Sequence, residues 1–444
     1  MPKCDDKQQY FFDPLHSPYF QVTTHTVFEY KLLNEVTFQI TFSGTTFESQ
    51  AQVYNALHKE RDEIRLAAFE KSFARVHNKE GLTWKLNEKR LKDAWFLYQL
   101  VVFYKSLDSL PTKDLGTEVT GGNRRDIEQL CEYANLERSL LSPKWVSHIC
   151  GMKGCREGFA VVDGNEKINR PACAAPKSQV SIPQQHIFMT SMCTRSPVNG
   201  GKYQKPSKFC KQHSHLDDGE DSDEVAPSHP LPTPHSTDML LEKSQVGDLP
   251  ENDDPTLFTG CRKEKSVNRF DDRTAGVLAL VRPCGVIVNT TEMYTCESPT
   301  QVYLFIVMTF VRGQDISRLR YLGCDRACDL HPFICNLERK GAYFAKWLNR
   351  KVKFLVDSFH VGRHTEPCCM PPDNPDCKYH PKLQRFFEIH GVNTECAEQS
   401  FRWLNRLKLS MKRMQQHKFN FFLHVIINSH NLHIEQSLRE KKLL

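Results

Sequence analysis

No apolar run in this chain approaches the roughly 20 residues that a membrane-spanning helix requires. The longest, Val302 to Val311, falls far short. The opening MPKCDDKQQYFF is polar and lacks the apolar segment of a secretory leader. A nuclear or cytoplasmic protein, not a secreted one, with no membrane partner, is therefore expected. A dominant charge is missing too: 59 Lys and Arg against 53 Asp and Glu leave a net charge of +6. That balance permits a nucleic-acid partner without requiring one. The first 140 residues contain no phosphate loop and no heptad run, and nothing in them points to a particular chemistry.

Cysteine, by contrast, is abundant, with 17 among 444 residues. In a reducing compartment disulfides are rare, so clustered cysteines with nearby histidines favour metal ligation. The length accommodates two or three domains, and 39% hydrophobic with 25% charged residues is an ordinary globular composition.

Four regions follow from the pattern. Residues 1–140 read as mainly helical: apolar side chains recur at helical spacing through FESQAQVYNALHKERDEIRLAAF and again through LNEKRLKDAWFLYQLVVFYKSL. Residues 141–213 hold a strand, Phe159 to Val162 running into Asp163, followed by a Cys/His-rich stretch. Residues 214–256 are acidic and then Pro-rich (LDDGEDSDEV, PSHPLPTPHSTD), a composition that cannot bury enough apolar surface to offset ordering, so a disordered linker is expected. Residues 257–430 resume the core. GVLALVRPCGVIVNTTEMYTC reads as a hairpin turning at Pro283-Cys284-Gly285. SPTQVYLFIVMTFV reads as a buried helix with Ser298 as cap and Pro299 at its first position. A strand ending on Asp325, a helix through HPFICNLERKGAYFAKWLNRK, a strand over Lys353 to Asp357 and a last long helix from Phe401 to about Asn431 complete an α/β fold, a mixed sheet flanked by helices.

Acidic groups at strand ends and at a helix start are one way to present carboxylates to divalent cations. Asp163 and Asp325 close apolar strand-like runs, and Glu395 and Glu398 open a helix. Two cysteine-histidine groups stand beside them. In the first, the short pairs Cys150-x4-Cys155 and Cys210-x2-His213 have zinc-ligand spacing, with Cys173 and Cys193 completing or extending the site. The second is His360-x3-His364-x3-Cys368-Cys369-x7-Cys377-x2-His380. His360, His364, Cys369, Cys377 and His380 are candidate zinc ligands there, although Pro367, Pro371, Pro372 and Pro375 equally suit an irregular loop used for packing or substrate contact. Arg402, Arg406, Lys408, Lys412, Arg413 and Lys418 offer phosphate contacts along the last helix, with Trp403, Leu404, Leu407 and Met411 turned to the core.

DGNEKINR, a cysteine-rich insertion, a GVxALxRxCGVIV hairpin, CDRACDL, VDSFHVGRHTEPCC and GVNTECAEQSFRW, in that order over residues 145–410, resemble the transposases of the Kyakuja, Dileera and Zisupton (KDZ) group. The resemblance implies a ribonuclease-H-like core, to which the Cys/His pairs add structural Zn²⁺ and the acidic, Pro-rich stretch a disordered insertion. It also implies strand cleavage and transfer at DNA transposon ends, dependent on Mg²⁺ or Mn²⁺. Asp163 matches the first-strand aspartate, Asp325 the second, and Glu395 or Glu398 the helix acid; a homo-oligomeric state stays open. This chain reads Asn393-Thr394-Glu395 where Asp-Gly-Glu is commoner, and Glu398-Gln399 where Glu-Arg is usual. The alternative is thus an inactive, domesticated copy that binds DNA or protein.

Overall fold

The computed structural model describes residues 18–23, 26–72, 86–107, 124–140, 143–198, 207–218, 272–294, 296–312, 318–357, 360, 379 and 390–444. The chain divides into two compact units, one formed by residues 1–134 with Phe421–Ser429, the other by Asn135–Asn420 with His430–Leu444.

The first unit is mainly helical, as its periodicity predicts. It contains a short hairpin, β1 (Tyr19–Thr23) and β2 (Thr26–Glu29), then helices α1 (Tyr30–Ser43), α2 (Phe47–Ser72), α3 (Glu88–Ser106) and most of α4 (Arg124–Leu140). The hairpin is an addition to the sequence reading. Asn87 caps α3, its side-chain oxygen accepting from the Lys89 N–H at 2.8 Å, which satisfies one of the unpaired donors of the first turn. Trp95 and Phe96 of α3 are fully buried with their rings near that of Phe422, and the Trp95 indole N–H donates to Thr37 Oγ1 at 2.9 Å.

The second unit is built on a five-stranded mixed sheet. Its strands are β3 (Phe159–Asn165), β6 (Gly276–Val281), β7 (Ile287–Met293), β8 (Tyr321–Cys324) and β9 (Lys353–Leu355), in the order β7-β6-β3-β8-β9. The β7-β6-β3 half is antiparallel, whereas β3, β8 and β9 run parallel. A parallel pair needs a crossover, and helices supply both. Helix α5 (Pro299–Arg312) links β7 to β8, and α6 (Ala327–Arg339) with α7 (Tyr343–Lys351) links β8 to β9. Their apolar stripes (Val302, Phe305 and Ile306; Leu330, Ile334 and Leu337; Ala345 and Leu348) share one core with Ala160, Val162, Leu278 and Leu280. Side chains alternate along a strand, so Phe159, Val161 and Asp163 point to the other face. Helix α8 (Cys396–Leu404) packs on β3 and β6, with Cys396 Sγ 3.7 Å from the Val281 carbonyl.

The 283–285 turn and the Ser298 cap stand where the sequence places them: Gly285 adopts φ +92°, and Ser298 Oγ accepts from Gln301 N–H at 3.3 Å. Two long helices of the sequence reading are broken. The stretch after Asp325 divides into α6 and α7 at Gly341, whose φ of +93° ends the first helix. The C-terminal basic stretch divides into α8, a 3-10 turn (Asn405–Leu407), a short helix α9 (Lys408–Met411) and α10 (Gln416–Glu440), with Leu404, Leu407, Met411 and Met414 all turned inward. The sheet's edge strand β7 is closed locally by Asn431, whose buried amide accepts from Ile287 N–H at 3.0 Å and donates to its carbonyl at 2.8 Å.

Between β3 and β6 lies a second antiparallel hairpin, β4 (Ser178–Ile182) with β5 (Ile187–Ser191), which the apolar-poor sequence did not suggest. Residues 214–218, expected to start a disordered linker, belong to a 3-10 segment, Lys211–Asp218; residues 219–256 lie outside the described residues.

Arg170, the last residue of DGNEKINR, ties this insertion to the sheet. Its guanidinium is fully buried and bidentate with Glu292 of β7 at 2.6 and 3.0 Å, and Asn420 Nδ2 donates to the same carboxylate at 3.0 Å. Removing one partner strands the other's charge in the core. Glu292→Ala is therefore expected to cost about 3–5 kcal/mol, whereas replacing both residues by apolar ones of similar size is expected to be far milder. Urea denaturation of the single and double variants measures both; a loss below about 0.5 kcal/mol for Glu292→Ala would remove this pair from the account of stability.

Candidate functional site

The parallel pairing of β3 with β8 sets Val162 opposite Cys324, and so brings the next residue of each strand, Asp163 and Asp325, together at the carboxyl edge of the sheet. Open α/β sheets bind ligands at this edge. Asp163, Asp325 and Glu297 form one group, each offering a carboxylate oxygen within 4.8 Å of the others. Asp163 is buried, and the other two are partly exposed. Gly164 makes room for Glu297. A Cβ there would lie 2.5 Å from Glu297 Oε2 and 2.9 Å from Met293 Sδ.

Burial and the negative charges of Glu297 and Asp325 hold Asp163 well above the usual carboxylate range, against a hydrogen bond from the Gly164 N–H at 2.7 Å. Glu398 on α8 adds to the same repulsion. The two acids proposed for the helix thus separate. Glu398 is half-buried and faces the group, 3.9 Å from His360 Nε2. Glu395 is exposed at the N-cap of α8, its N–H bonded to Asn393 Oδ1 at 3.2 Å and its carbonyl accepting from Gln399 N–H at 3.0 Å. Asp163 and Asp325 come together, Glu398 acts on Asp163 from outside their 4.8 Å group, and Glu395 does not join them.

Glu297 is absent from the sequence reading. Its signal was faint: an acid directly before the Ser298-Pro299 helix start, in a segment read for its cap alone. Only the folding of β7 back beside β3 through β6 brings it to Asp163.

His360, read from sequence as a zinc ligand, is part of this edge as well. Asp357 Oδ2 lies 2.7 Å from its Nδ1, and Asp357 Oδ1 accepts its backbone N–H at 2.9 Å. Burial opposes the imidazolium, but the Asp357 bond and charge, with Asp325 and Glu398, outweigh it and raise His360 above its ordinary value. His364, Cys368, Cys369, Cys377 and His380 lie outside the described residues.

Crowded carboxylates repel unless a cation compensates them, and oxygen-rich sets of this kind suit hard divalent ions. The group fits Mg²⁺ or Mn²⁺ chemically. It also carries a pH signature in metal-free protein. Below about pH 4 Asp163 is protonated whether the chain is folded or not. As pH rises, the unfolded chain loses that proton first because the native value is raised, so this group's contribution to stability falls across the window up to its native value. The melting temperature of chelated wild type is expected to drop more steeply with pH than that of Asp163→Asn, and added Mg²⁺ to erase the difference. Parallel slopes without metal would mean that the acids are not charge-strained.

A separate Cys/His group occupies the insertion. Cys173, Cys193, Cys210 and His213 place their ligand atoms within 4.8 Å of one another. Cys173 Sγ and Cys210 Sγ lie 3.4 and 3.5 Å from His213 Nδ1, and Cys193 Sγ lies 3.9 Å from Cys210 Sγ. Bond lengths of about 2.3 Å to sulfur and 2.0–2.1 Å to nitrogen put tetrahedral ligands about 3.5–3.8 Å apart, so the group can hold an ion such as zinc. Its backbone is set for this: Cys210 N–H points at Cys173 Sγ (3.2 Å) and His213 N–H bonds to the Cys210 carbonyl (2.9 Å). Hydrogen bonding from Cys193, with Cys210 N–H and His213 adding to it, lowers the Cys173 thiol to about 4 against the effect of burial. Cys150 and Cys155, grouped with this set on sequence spacing, lie instead beside His148 and Cys284.

No family model, no curated protein and no solved structure matches this chain. Among the described residues no helix is long and apolar enough to cross a membrane.

Of the basic residues read as a phosphate track, Arg402, Arg406, Lys408, Lys412 and Arg413 are exposed on the α8–α9 stretch. Lys418 is buried and leaves that track.

Proposed function

We propose that this chain is a KDZ-like, transposon-derived nuclease and strand-transferase with a ribonuclease-H-like core, acting on DNA with Mg²⁺ or Mn²⁺ at Asp163, Glu297, Asp325 and Glu398. The observation that carries this reading is the meeting of acids from separate segments at the carboxyl edge of two parallel strands. The strand order, with an antiparallel half on one side of β3 and a parallel half on the other, supports the ribonuclease-H-like assignment.

Bound divalent ions would supply activation of a water or 3′-hydroxyl and stabilisation of the leaving oxygen. Asp163 on β3, Asp325 directly after β8 and Glu297 just before α5 would hold those ions. Glu398 closes the group from α8, and Asp357 orients His360 beside it. The exposed Arg402, Arg406 and Lys408 extend from the same helix region as a track for the DNA backbone.

The test is cleavage of DNA bearing the element's terminal repeats, in Mg²⁺ and in Mn²⁺. Wild type and Glu395→Gln are expected to cleave alike, with Asp325→Asn inactive and Glu398→Gln reduced by about 10²-fold or more. Equal rates in wild type and Asp325→Asn would overturn the reading. DNA binding with metal uptake but no cleavage would select the inactive, domesticated copy.

A further inference from the structure

We infer that His148, Cys150, Cys155 and Cys284 form a second structural zinc site at the amino end of β3, separate from the Cys173 group. Ligand atoms of His148, Cys150 and Cys284 all lie within 4.8 Å of one another, and Cys284 Sγ is 3.4 Å from His148 Nε2. Cys155, also buried, packs in the same local cluster as Cys150 and Cys284, and both thiols act on its own. With Cys155 as the fourth ligand, three sulfurs and one imidazole nitrogen would make a closed tetrahedral set, the pattern of a structural site with no position left for substrate.

The backbone is shaped around these four side chains. His148, Cys150 and Cys155 come from one irregular segment, which turns at Gly154 (φ +91°) so that Cys155 N–H bonds to the Met152 carbonyl at 3.1 Å and Phe159 N–H, the first of β3, to the Gly154 carbonyl at 2.8 Å. A side chain at Gly154 would meet Val392 Cγ1 at 2.7 Å and Pro283 Cγ at 2.8 Å. Cys284 comes from the β6–β7 turn, more than a hundred residues later in the chain. Apart from the sulfurs, the local apolar cluster has Leu438 as its buried member, with Met152, Ile434 and Leu443 packed around it. A disulfide would use two of the three sulfurs and leave the third and the histidine unexplained; the cysteines here are free.

A metal here would staple three things together: the entry to β3, the β6–β7 turn, and the approach to α8. Asn393 Nδ2 donates to the Pro283 carbonyl at 3.3 Å, and Val392 packs on Gly154, so the segment leading to Glu398 rests on this knuckle. Gly151 N–H bonds to the Leu443 carbonyl at 2.6 Å, adding the end of α10.

Elemental analysis of the full chain, purified in reductant and desalted, tests this. Cys284→Ser and Cys210→Ser are each expected to hold one zinc equivalent per chain fewer than wild type, and the double variant two fewer. Zinc content equal in Cys284→Ser and wild type would overturn the site. So would thiol titration of the denatured wild type, freed of reductant and chelated, that finds no more thiols than in Cys150→Ser/Cys155→Ser, since that marks a disulfide. Should Cys284→Ser fold poorly, His148→Cys gives an independent readout. Loaded with Co²⁺, it is expected to keep the ion and to gain sulfur-to-metal charge-transfer intensity over wild type; an unchanged spectrum would exclude His148 and the set with it.

Discussion

Asp163→Asn is expected to lower metal-dependent DNA cleavage by at least about 10³-fold while leaving the metal-free protein as stable as wild type or more so. The activity loss follows from position. Asp163 is the buried member of the group, with Glu297 and Asp325 beside it, so an uncharged amide there removes the buried carboxylate of the set. Fixed charge at a site of low dielectric contributes most of the stabilisation in this kind of chemistry, and losing even one neutral hydrogen-bond donor from such sites costs about 10²–10³ in rate. The stability result has the same cause with opposite sign. A carboxylate that burial and two like charges push toward its protonated form destabilises the folded chain at neutral pH whenever no cation is present. The amide keeps the shape and relieves the repulsion. The combination separates a catalytic loss from misfolding: single-turnover cleavage and thermal melting are measured on the same preparation, and retained activity, or a melting point that falls without metal, would contradict the assignment of Asp163.

Local pattern made the sheet legible and left the site half-read. Strands β3, β6 and β8 declare themselves because both faces are covered, which demands continuous apolar runs such as FAVV and GVLALV, and β7 shows as the second arm of the hairpin at 283–285. Helix α5 is announced by Ser298-Pro299 at its start. The break at Gly341 was missed because a helical pattern continues across it, and only its left-handed backbone shows the stop. The acids followed the same division. Asp163 and Asp325 each end an apolar run and can be picked from sequence; choosing between Glu395 and Glu398 required knowing which face α8 turns to the sheet. Glu297 could not be found without strand order. Cysteine spacing misled in a specific way: CGMKGC and CKQH look like two halves of one site, yet the former belongs with His148 and Cys284, because the β6–β7 turn brings a lone cysteine that no local pair advertises.

Loss of zinc from the Cys173, Cys193, Cys210 and His213 group is expected to unfold the insertion while the five-stranded sheet persists. The apolar cluster at the heart of this insertion consists of Cys173, Ala175, Cys193 and Cys210, with Phe209 against it. Three of its four buried members are the ligands themselves. Without an ion to bridge them there is little apolar surface to offset the ordering of the loops on either side. Zinc binding in small metal-folded domains is worth about 10–16 kcal/mol at neutral pH, far more than such a cluster can replace. Backbone links such as Cys173 N–H to the Arg195 carbonyl (2.9 Å), Ala174 N–H to Lys208 (3.0 Å) and Val198 N–H to Phe209 (2.9 Å) hold together only segments that the ligands have already gathered. The core sheet has its own support in α5–α7 and in the Arg170–Glu292 pair at the insertion's root. Hydrogen exchange on Cys193→Ser, compared with wild type, is the measurement. Protection is expected to vanish across β4, β5 and residues 207–218 but to survive in β3, β6 and β7. Unchanged protection in β4 and β5 would mean that the hairpin stands without metal, and protection lost throughout the sheet would mean that the insertion is part of the core.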